Sequence, residues 1–186
     1  MTKIAGVLGL QGAYAKHLQM LKMLDNESFI VRYPEEIEKC DGLVIPGGES
    51  STISKLVDQM DLRRPLQNFK KPILATCAGV IMMSENEPTK KVKPLGKLPL
   101  ICERNAYGRQ IESFKTDIEI KDDSEIFPAI FIRAPKIAQI NSPEVEVLAE
   151  FENSPILVKY KNILAATFHP ELSPDTRIHE LFINLL

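Results

Sequence analysis

The sequence predicts an α/β fold, with parallel βαβ units in its first half and a strand-rich second half. Three patterns carry that reading. Short apolar runs alternate with segments of helical periodicity from the N-terminus to about residue 84. Helical signals then become sparse, while β-branched and aromatic runs recur. A helical pattern with a start signal returns only at the C-terminal end.

Taken in order, residues 3–8 read as a buried strand. Residues 13–24 read as a helix, because Leu18, Leu21 and Leu24 recur at helical spacing. Residues 29–32 and 42–45 read as the next strands, the latter ended by Pro46-Gly47-Gly48. Residues 51–57 and 62–69 read as helices, 72–76 as a fourth strand and 78–84 as the helix that follows it. The proline- and lysine-rich stretch 85–99 reads as a surface excursion. Residues 111–120, 129–132, 144–151, 156–160 and 163–168 are further strand candidates. Ser173-Pro174-Asp175 reads as a helix start, with a capping serine and a proline at the first helical position. Ile178, Leu181, Phe182 and Leu185 then form one apolar face. With no internal repeat, low-complexity segment or linker, residues 1–186 are expected to form one domain with a sizeable core.

Composition narrows the function classes. A formal net charge of −2, with 26% charged residues, argues against a general nucleic-acid or membrane surface, although Lys90, Lys91 and Lys93 form a local basic run. The apolar N-terminal segment is short and broken by glycines, so it reads as a strand rather than a signal peptide. No run approaches the roughly 18 apolar residues of a membrane span. The three cysteines, at 40, 77 and 102, suit neither a disulfide framework nor a zinc site. A reducing, cytoplasmic setting without a metal is the expectation.

Cys77 is the first candidate for chemistry. In "ILATCAGVIMM" (73–83) it follows a strand, precedes a helical pattern and has Ala75 and Gly79 on either side. A sharp strand-to-helix turn that presents a nucleophile needs small neighbours, and a helix N-terminus favours the reactive thiolate. On this stretch alone a buried core thiol is the commoner state, and both readings stay open. Cys40 and Cys102 lack such a turn and read as structural.

A nucleophilic cysteine needs a base, and the base needs an orienting group. Of the three histidines, His17 and His179 lie on the first and last helices and are expected on solvated faces. His169 ends an apolar strand in "AATFHPELSPD" (165–175), and Glu171 lies two residues on, on the same side of an extended chain. For this tripeptide alone, an ordinary turn with a charged edge is the slightly better explanation.

The segment Pro46-Gly47-Gly48-Glu49-Ser50-Ser51-Thr52 places two glycines directly after a strand. Their N–H groups are candidate oxyanion donors. Ser50 or Ser51 is a candidate cap for the helix that follows. A phosphate-binding loop is excluded by the missing lysine and spacing. Gly6-Val7-Leu8-Gly9-Leu10-Gln11-Gly12 lacks the dinucleotide-binding spacing, yet Gln11 sits at the carboxyl end of a first strand, where open α/β sheets place their sites. Arg104, Arg109 and Arg133 are candidate carboxylate partners, with surface solvation or internal ion pairs as alternatives for each.

Together, GVLGLQGAYAKHL, GLVIPGGESSTISKL, PILATCAGVIMM, ERNAYGRQIESF, FIRAPKI and TFHPEL span residues 6–172 in one order. In these stretches the chain closely resembles the glutaminase subunits of pyridoxal 5′-phosphate synthase, within the class I (triad-type) glutamine amidotransferases. The departures are Ala75 where the family often has glycine, Val80 for leucine, and a short 85–99 loop. The resemblance implies a flavodoxin-like three-layer sandwich around a mixed, mainly parallel sheet. It implies that Cys77 attacks the side-chain amide of L-glutamine, that His169 moves the proton and that Glu171 orients His169. It assigns the oxyanion donors to the Gly47-Gly48 region and Ala78, and glutamine binding to Gly48, Glu49, Ser50, Arg104, Ile132 and Arg133. It puts Gln11 near the interface with a separate (β/α)₈-barrel synthase subunit, which receives the ammonia and makes pyridoxal 5′-phosphate. The glutaminase subunit itself is expected to hold no cofactor. Two other readings remain open on the residues: a different cysteine hydrolase of related fold, such as a γ-glutamyl hydrolase or a DJ-1-like protein, and a non-catalytic regulatory module.

Overall fold

The computed structural model describes residues 3–86, 89–104 and 113–186. Its elements run β1 (Ile4–Leu8), α1 (Tyr14–Met23), β2 (Glu27–Val31), α2 (Pro34–Ile37), β3 (Gly42–Ile45), α3 (Ser50–Gln59), α4 (Arg63–Asn68), β4 (Ile73–Thr76) and α5 (Ala78–Met83). There follow β5 (Ser84–Asn86), β6 (Leu98–Glu103), β7 (Ser113–Ile118), β8 (Phe127–Ile132), β9 (Lys136–Ile140), β10 (Glu146–Phe151), β11 (Ser154–Tyr160) and β12 (Ile163–Ala166). A 3₁₀ turn, Pro170–Leu172, then leads to α6 (Arg177–Ile183).

Seven strands form the main sheet in the order β10-β11-β12-β4-β3-β1-β2. The pairs β1–β2, β1–β3, β3–β4 and β4–β12 are parallel, and β11 and β10 extend that edge antiparallel. Strands β3, β4 and β12 are buried along their whole length, as strands covered on both faces must be. Alternate residues of one strand feed two different cores. Ile73 and Ala75 pack with Ile53 and Val57 of α3, Leu66 of α4 and Val80 of α5. Leu74, between them, packs with Leu21 of α1 and Ile178 and Phe182 of α6. That alternation gives the expected three layers around a mixed, mainly parallel sheet.

The pairs β5–β6 and β6–β9 build a three-stranded sheet, and β7–β8 a hairpin. In the hairpin, Phe114 stacks on Phe131, and Phe131 meets Phe168 just ahead of the site.

Three local expectations change. The 85–99 stretch is not only an excursion: Val92 and Leu95 are buried in the first core, and Leu95, Gly96 and Lys97 donate backbone bonds to Met82, Ser84 and Met83. Its prolines and lysines conceal those two apolar anchors. The last helix begins at Arg177, after Thr176, and Ser173 accepts instead from the N–H of Asp175 in a preceding turn. Strand β9 and the short α2 lacked a sequence signal strong enough to assign them.

Candidate active site

The parallel strands deliver the candidate residues to one edge of the sheet. Gln11 follows the carboxyl end of β1, Gly47 and Gly48 that of β3, Cys77 that of β4 and His169 that of β12. In open α/β sheets this edge is where ligands bind.

Cys77 occupies the sharp turn between β4 and α5 with φ 46° and ψ −111°, a left-handed backbone rare for a residue with a side chain. Its N–H donates to Ala166 of β12 at 2.8 Å, which ties the turn to the neighbouring strand. Gly79 makes the turn possible, because any Cβ there would collide with the Ile45 carbonyl. Cys77 Sγ lies 3.8 Å from the Ile132 carbonyl of β8.

His169 is held from both sides. Its N–H donates to the Ile130 carbonyl at 2.8 Å, and its Nδ1 lies 2.6 Å from Glu171 Oε1. The remaining nitrogen is left for Cys77, which flanks Gly47 together with the imidazole ring. Burial by itself would lower the His169 pKa, but the bonds to Cys77 and Glu171 outweigh it and raise the value to about 10. Glu171 is buried, which raises its carboxyl pKa, yet the neighbouring His17 and His169 hold it below the ordinary value. Cys77, an imidazole that favours its protonated form and a carboxylate that favours its ionised form thus stand in the layout of a candidate triad.

Gly47 fits between these groups. A Cβ on it would come within 2.6 Å of His169 Cε1 and 3.0 Å of Cys77 Cβ. Its carbonyl accepts from Ala13 N–H at 3.2 Å, and its N–H donates to Thr76 Oγ1 at 3.2 Å. Among the described residues, the N–H groups of Gly48 and Ala78 carry no protein acceptor. They are candidate donors for an oxyanion at this edge of the sheet.

Glu49, rather than Ser50 or Ser51, caps α3. Its carboxylate accepts from the N–H groups of Ser51 and Thr52 at 3.2 and 2.7 Å and from both hydroxyls. Those bonds, the Thr52 and Ser51 hydroxyls first, pull its pKa down to about 2. Glu49 Oε1 also accepts from Arg104 Nη2 at 2.9 Å, and its N–H donates to Gln11 Oε1 at 2.7 Å. Ser50 is buried as the first residue of the helix. Ile132 is 37% exposed, and Arg133, next to it, is exposed with φ 46°. Gln11, Gly48, Glu49 and Arg104 thus form one linked group, and Gly47, Cys77, Ala78, Ile132, His169 and Glu171 another, joined at the glycine pair. Arg109 lies outside the described residues.

Two expectations about histidine are overturned. His17 and His179 are fully buried, not solvated. His17 Nδ1 lies 2.9 Å from His179 Nε2, and His17 Nε2 lies 3.1 Å from Thr76 Oγ1 and 3.4 Å from Glu171 Oε2. The signal was present: His17, Met20 and Leu21 share one helical face, as do Ile178, His179 and Phe182. Thr76 was passed over in the same way.

Cys40 and Cys102 are free thiols in the core. Burial pushes the first up to about 11 and the second to about 12, well away from reactivity. Among the described residues no cluster of three or more His, Cys, Asp or Glu could hold a metal, and no helix is long and apolar enough to cross a membrane.

Comparison with known proteins places the chain in a family. Residues 7–186 match the model of the SNO glutamine amidotransferase family. The chain is 46% identical over 184 residues to the pyridoxal 5′-phosphate synthase subunit PdxT of Thermosipho africanus (strain TCF52B), covering 97% of each. It is 44% identical over 181 residues to the protein of that name in Actinobacillus pleuropneumoniae serotype 5b (strain L20), covering 97% of this chain and 94% of the other. The crystal structure of a glutamine amidotransferase superposes with a TM-score of 0.91, at 39% identity over 97% of both chains. PurLQS from Thermotoga maritima, 12% identical over 99% of both, shares the fold at a TM-score of 0.68. A strand-to-helix cysteine at the carboxyl edge of a parallel sheet, its histidine and glutamate in place, and a family match over nearly the whole length lead to one assignment: the chain belongs to the SNO glutamine amidotransferase family.

Proposed function

We propose that this chain is a glutaminase subunit that hydrolyses L-glutamine to L-glutamate and ammonia. It passes the ammonia to a separate (β/α)₈-barrel subunit for synthesis of pyridoxal 5′-phosphate, in the reducing cytoplasm. Residues 1–186 act as one glutamine amidotransferase domain. The observation that carries the reading is Cys77 on its left-handed turn, packed with His169 around Gly47, where His169 Nδ1 meets Glu171 at 2.6 Å. The names of the relatives support the partner and the destination of the ammonia.

In the proposed reaction Cys77 Sγ, as thiolate, attacks the side-chain carbonyl carbon of glutamine. The carbonyl oxygen becomes an oxyanion held by the N–H groups of Gly48 and Ala78. His169 gives its proton to the departing nitrogen, the C–N bond breaks, and ammonia leaves a glutamyl thioester. Water then attacks the thioester while His169, now neutral, takes its proton, and the C–S bond breaks to release glutamate and free Cys77. Glu171 keeps the His169 ring in the orientation that both steps need. Gly47 shapes the space beside the reacting carbon. Glu49, Ser50, Arg104, Ile132 and Arg133 hold the substrate, and Gln11 braces the loop on the side of the barrel subunit.

The test is glutamate release from glutamine by the chain mixed with a barrel synthase subunit. The wild-type mixture should turn over and Cys77→Ala should not. Undiminished turnover by Cys77→Ala sinks the mechanism, and hydrolysis of γ-glutamyl peptides instead of glutamine points to a different cysteine hydrolase.

A further inference from the structure

Behind Glu171 the structure buries three polar side chains that the reaction above does not use directly. Thr76, His17 and His179 are all 0% exposed, and Glu171 Oε2 is buried without a hydrogen-bond partner. They come from β4, α1 and α6, so the cluster joins the first helix, the nucleophile strand and the last helix beneath the triad.

The proton positions follow from counting donors and acceptors. His17 and His179 meet through Nδ1 and Nε2 at 2.9 Å, so one ring donates and the other accepts. If His17 donated from Nδ1, His179 would carry its proton on Nδ1, which has no partner. A buried N–H would then be orphaned, and the bare Nε2 of His17 would face the Glu171 carboxylate. The reverse assignment removes both penalties at the cost of the Thr76 hydroxyl proton, whose oxygen then accepts from both His17 and Gly47. His179 Nε2–H donates to His17 Nδ1, only a lone pair is left unmatched on His179, and His17 Nε2–H points at Thr76 Oγ1 and Glu171 Oε2. Burial lowers the pKa of both rings, with the charge of Glu171 opposing it in each; His17 also feels His169, and His179 feels His17. His17 therefore faces Glu171 as a neutral N–H donor and not as a cation.

We propose that His17 is a positioning residue for glutaminase chemistry: its Nε2–H steadies the second oxygen of Glu171 and the Thr76 hydroxyl, with His179 setting its tautomer. The proposal rests on the glutaminase reading. Its reason is the dryness of the site. Oε1 of Glu171 is engaged by His169, while Oε2 has no hydrogen-bond partner among the described residues and faces His17 Nε2 at 3.4 Å. Without that donor the carboxyl holds a proton more readily and supports the His169 imidazolium less well. Thr76 carries the same influence to the glycine loop, because its oxygen accepts from Gly47 N–H.

The experiment uses the full chain with its barrel partner and L-glutamine. His17→Leu should lower kcat about ten- to a hundredfold, as loss of a bond to a charged group does, with KM changed far less. It should also move the acidic limb of the kcat–pH profile upward by about one unit. His17→Gln, whose amide N–H reaches the position of Nε2, should recover most of the rate and the original limb. A folded His17→Leu with wild-type kcat and pH profile, or a His17→Gln no better than His17→Leu, overturns the proposal. Should His17→Leu fail to fold, the ¹⁵N spectrum of the histidine-labelled wild-type chain decides: a proton on His17 Nε2 supports the proposal and one on Nδ1 overturns it. Failure of the wild-type complex to release glutamate sinks the glutaminase reading itself, and the role of His17 in that reaction with it. An active wild type that is indifferent to His17 overturns this inference alone.

Discussion

Glu171 Oε1 lies 2.6 Å from Nδ1 of His169, inside the protein and two residues further along the chain. Proline between them sets a single 3₁₀ turn, so the pair is fixed by local backbone as much as by packing. Glu171→Gln keeps the shape and removes the charge that supports an imidazolium. Glutamate release with the barrel partner should fall about a hundred- to ten-thousandfold in kcat, with little change in KM. Retention of more than a tenth of the rate removes Glu171 from the mechanism.

Gly47→Ala tests the packing of the nucleophile. The added methyl would sit 2.6 Å from His169 Cε1 and 3.0 Å from Cys77 Cβ. Neither neighbour can retreat, since His169 is bonded to Ile130 and Glu171 and Cys77 to Ala166. A rate loss of roughly tenfold or more is expected, with far-ultraviolet circular dichroism unchanged and a melting temperature a few degrees lower. A fully active variant shows that the glycine is not needed for clearance.

Glu49→Ala removes the cap of α3 and the partner of Arg104 at once. Loss of the cap should cost about 1 kcal/mol of stability, read by urea denaturation. Loss of the Arg104 contact should raise KM for glutamine several-fold while kcat changes less, since Glu49 touches neither Cys77 nor His169. Glu49→Asp, a shorter acidic cap, should recover more stability than affinity. Equal effects on kcat and KM point to a direct part in the chemistry.

The buried histidines make stability depend on pH in a stated direction. His179 has its pKa pushed from 6.5 down to about 3 by burial and by His17. His17 moves the same way. Unfolded, each ring takes up a proton near pH 6.5. Their contribution is therefore complete above that value and lost as pH falls below it, at about 1.4 kcal/mol per pH unit for each excess proton on the unfolded chain. His169, raised to about 10, behaves oppositely: its contribution is complete below about pH 6.5 and is lost as pH rises through about 10. Urea unfolding between pH 7 and 4.5 should show falling stability, and His179→Leu should reduce the slope by about one proton. A slope unaffected by that variant excludes His179 as its source.

Local signals in the sequence determined much of this protein. Alternating apolar runs and helical periods located β1, β3 and β4 and their following helices to within a residue or two. Small residues around Cys77, the HPE tripeptide and the glycine pair after β3 marked the candidate site, because backbone crowding and hydrogen-bond reach restrict which residues can stand there. Tertiary structure decided what depends on contacts between distant segments. His17 and His179 are 162 positions apart, and only the packing of α1 and α6 on one face of the sheet turns two apparently solvated rings into a buried pair. Thr76 looked like the end of a strand until His17 and Gly47 were seen to share its oxygen. Val92 and Leu95 became core residues for the same reason. Periodicity reports which face of an element is apolar, but a polar side chain on that face is matched only by partners that the fold brings from elsewhere in the chain.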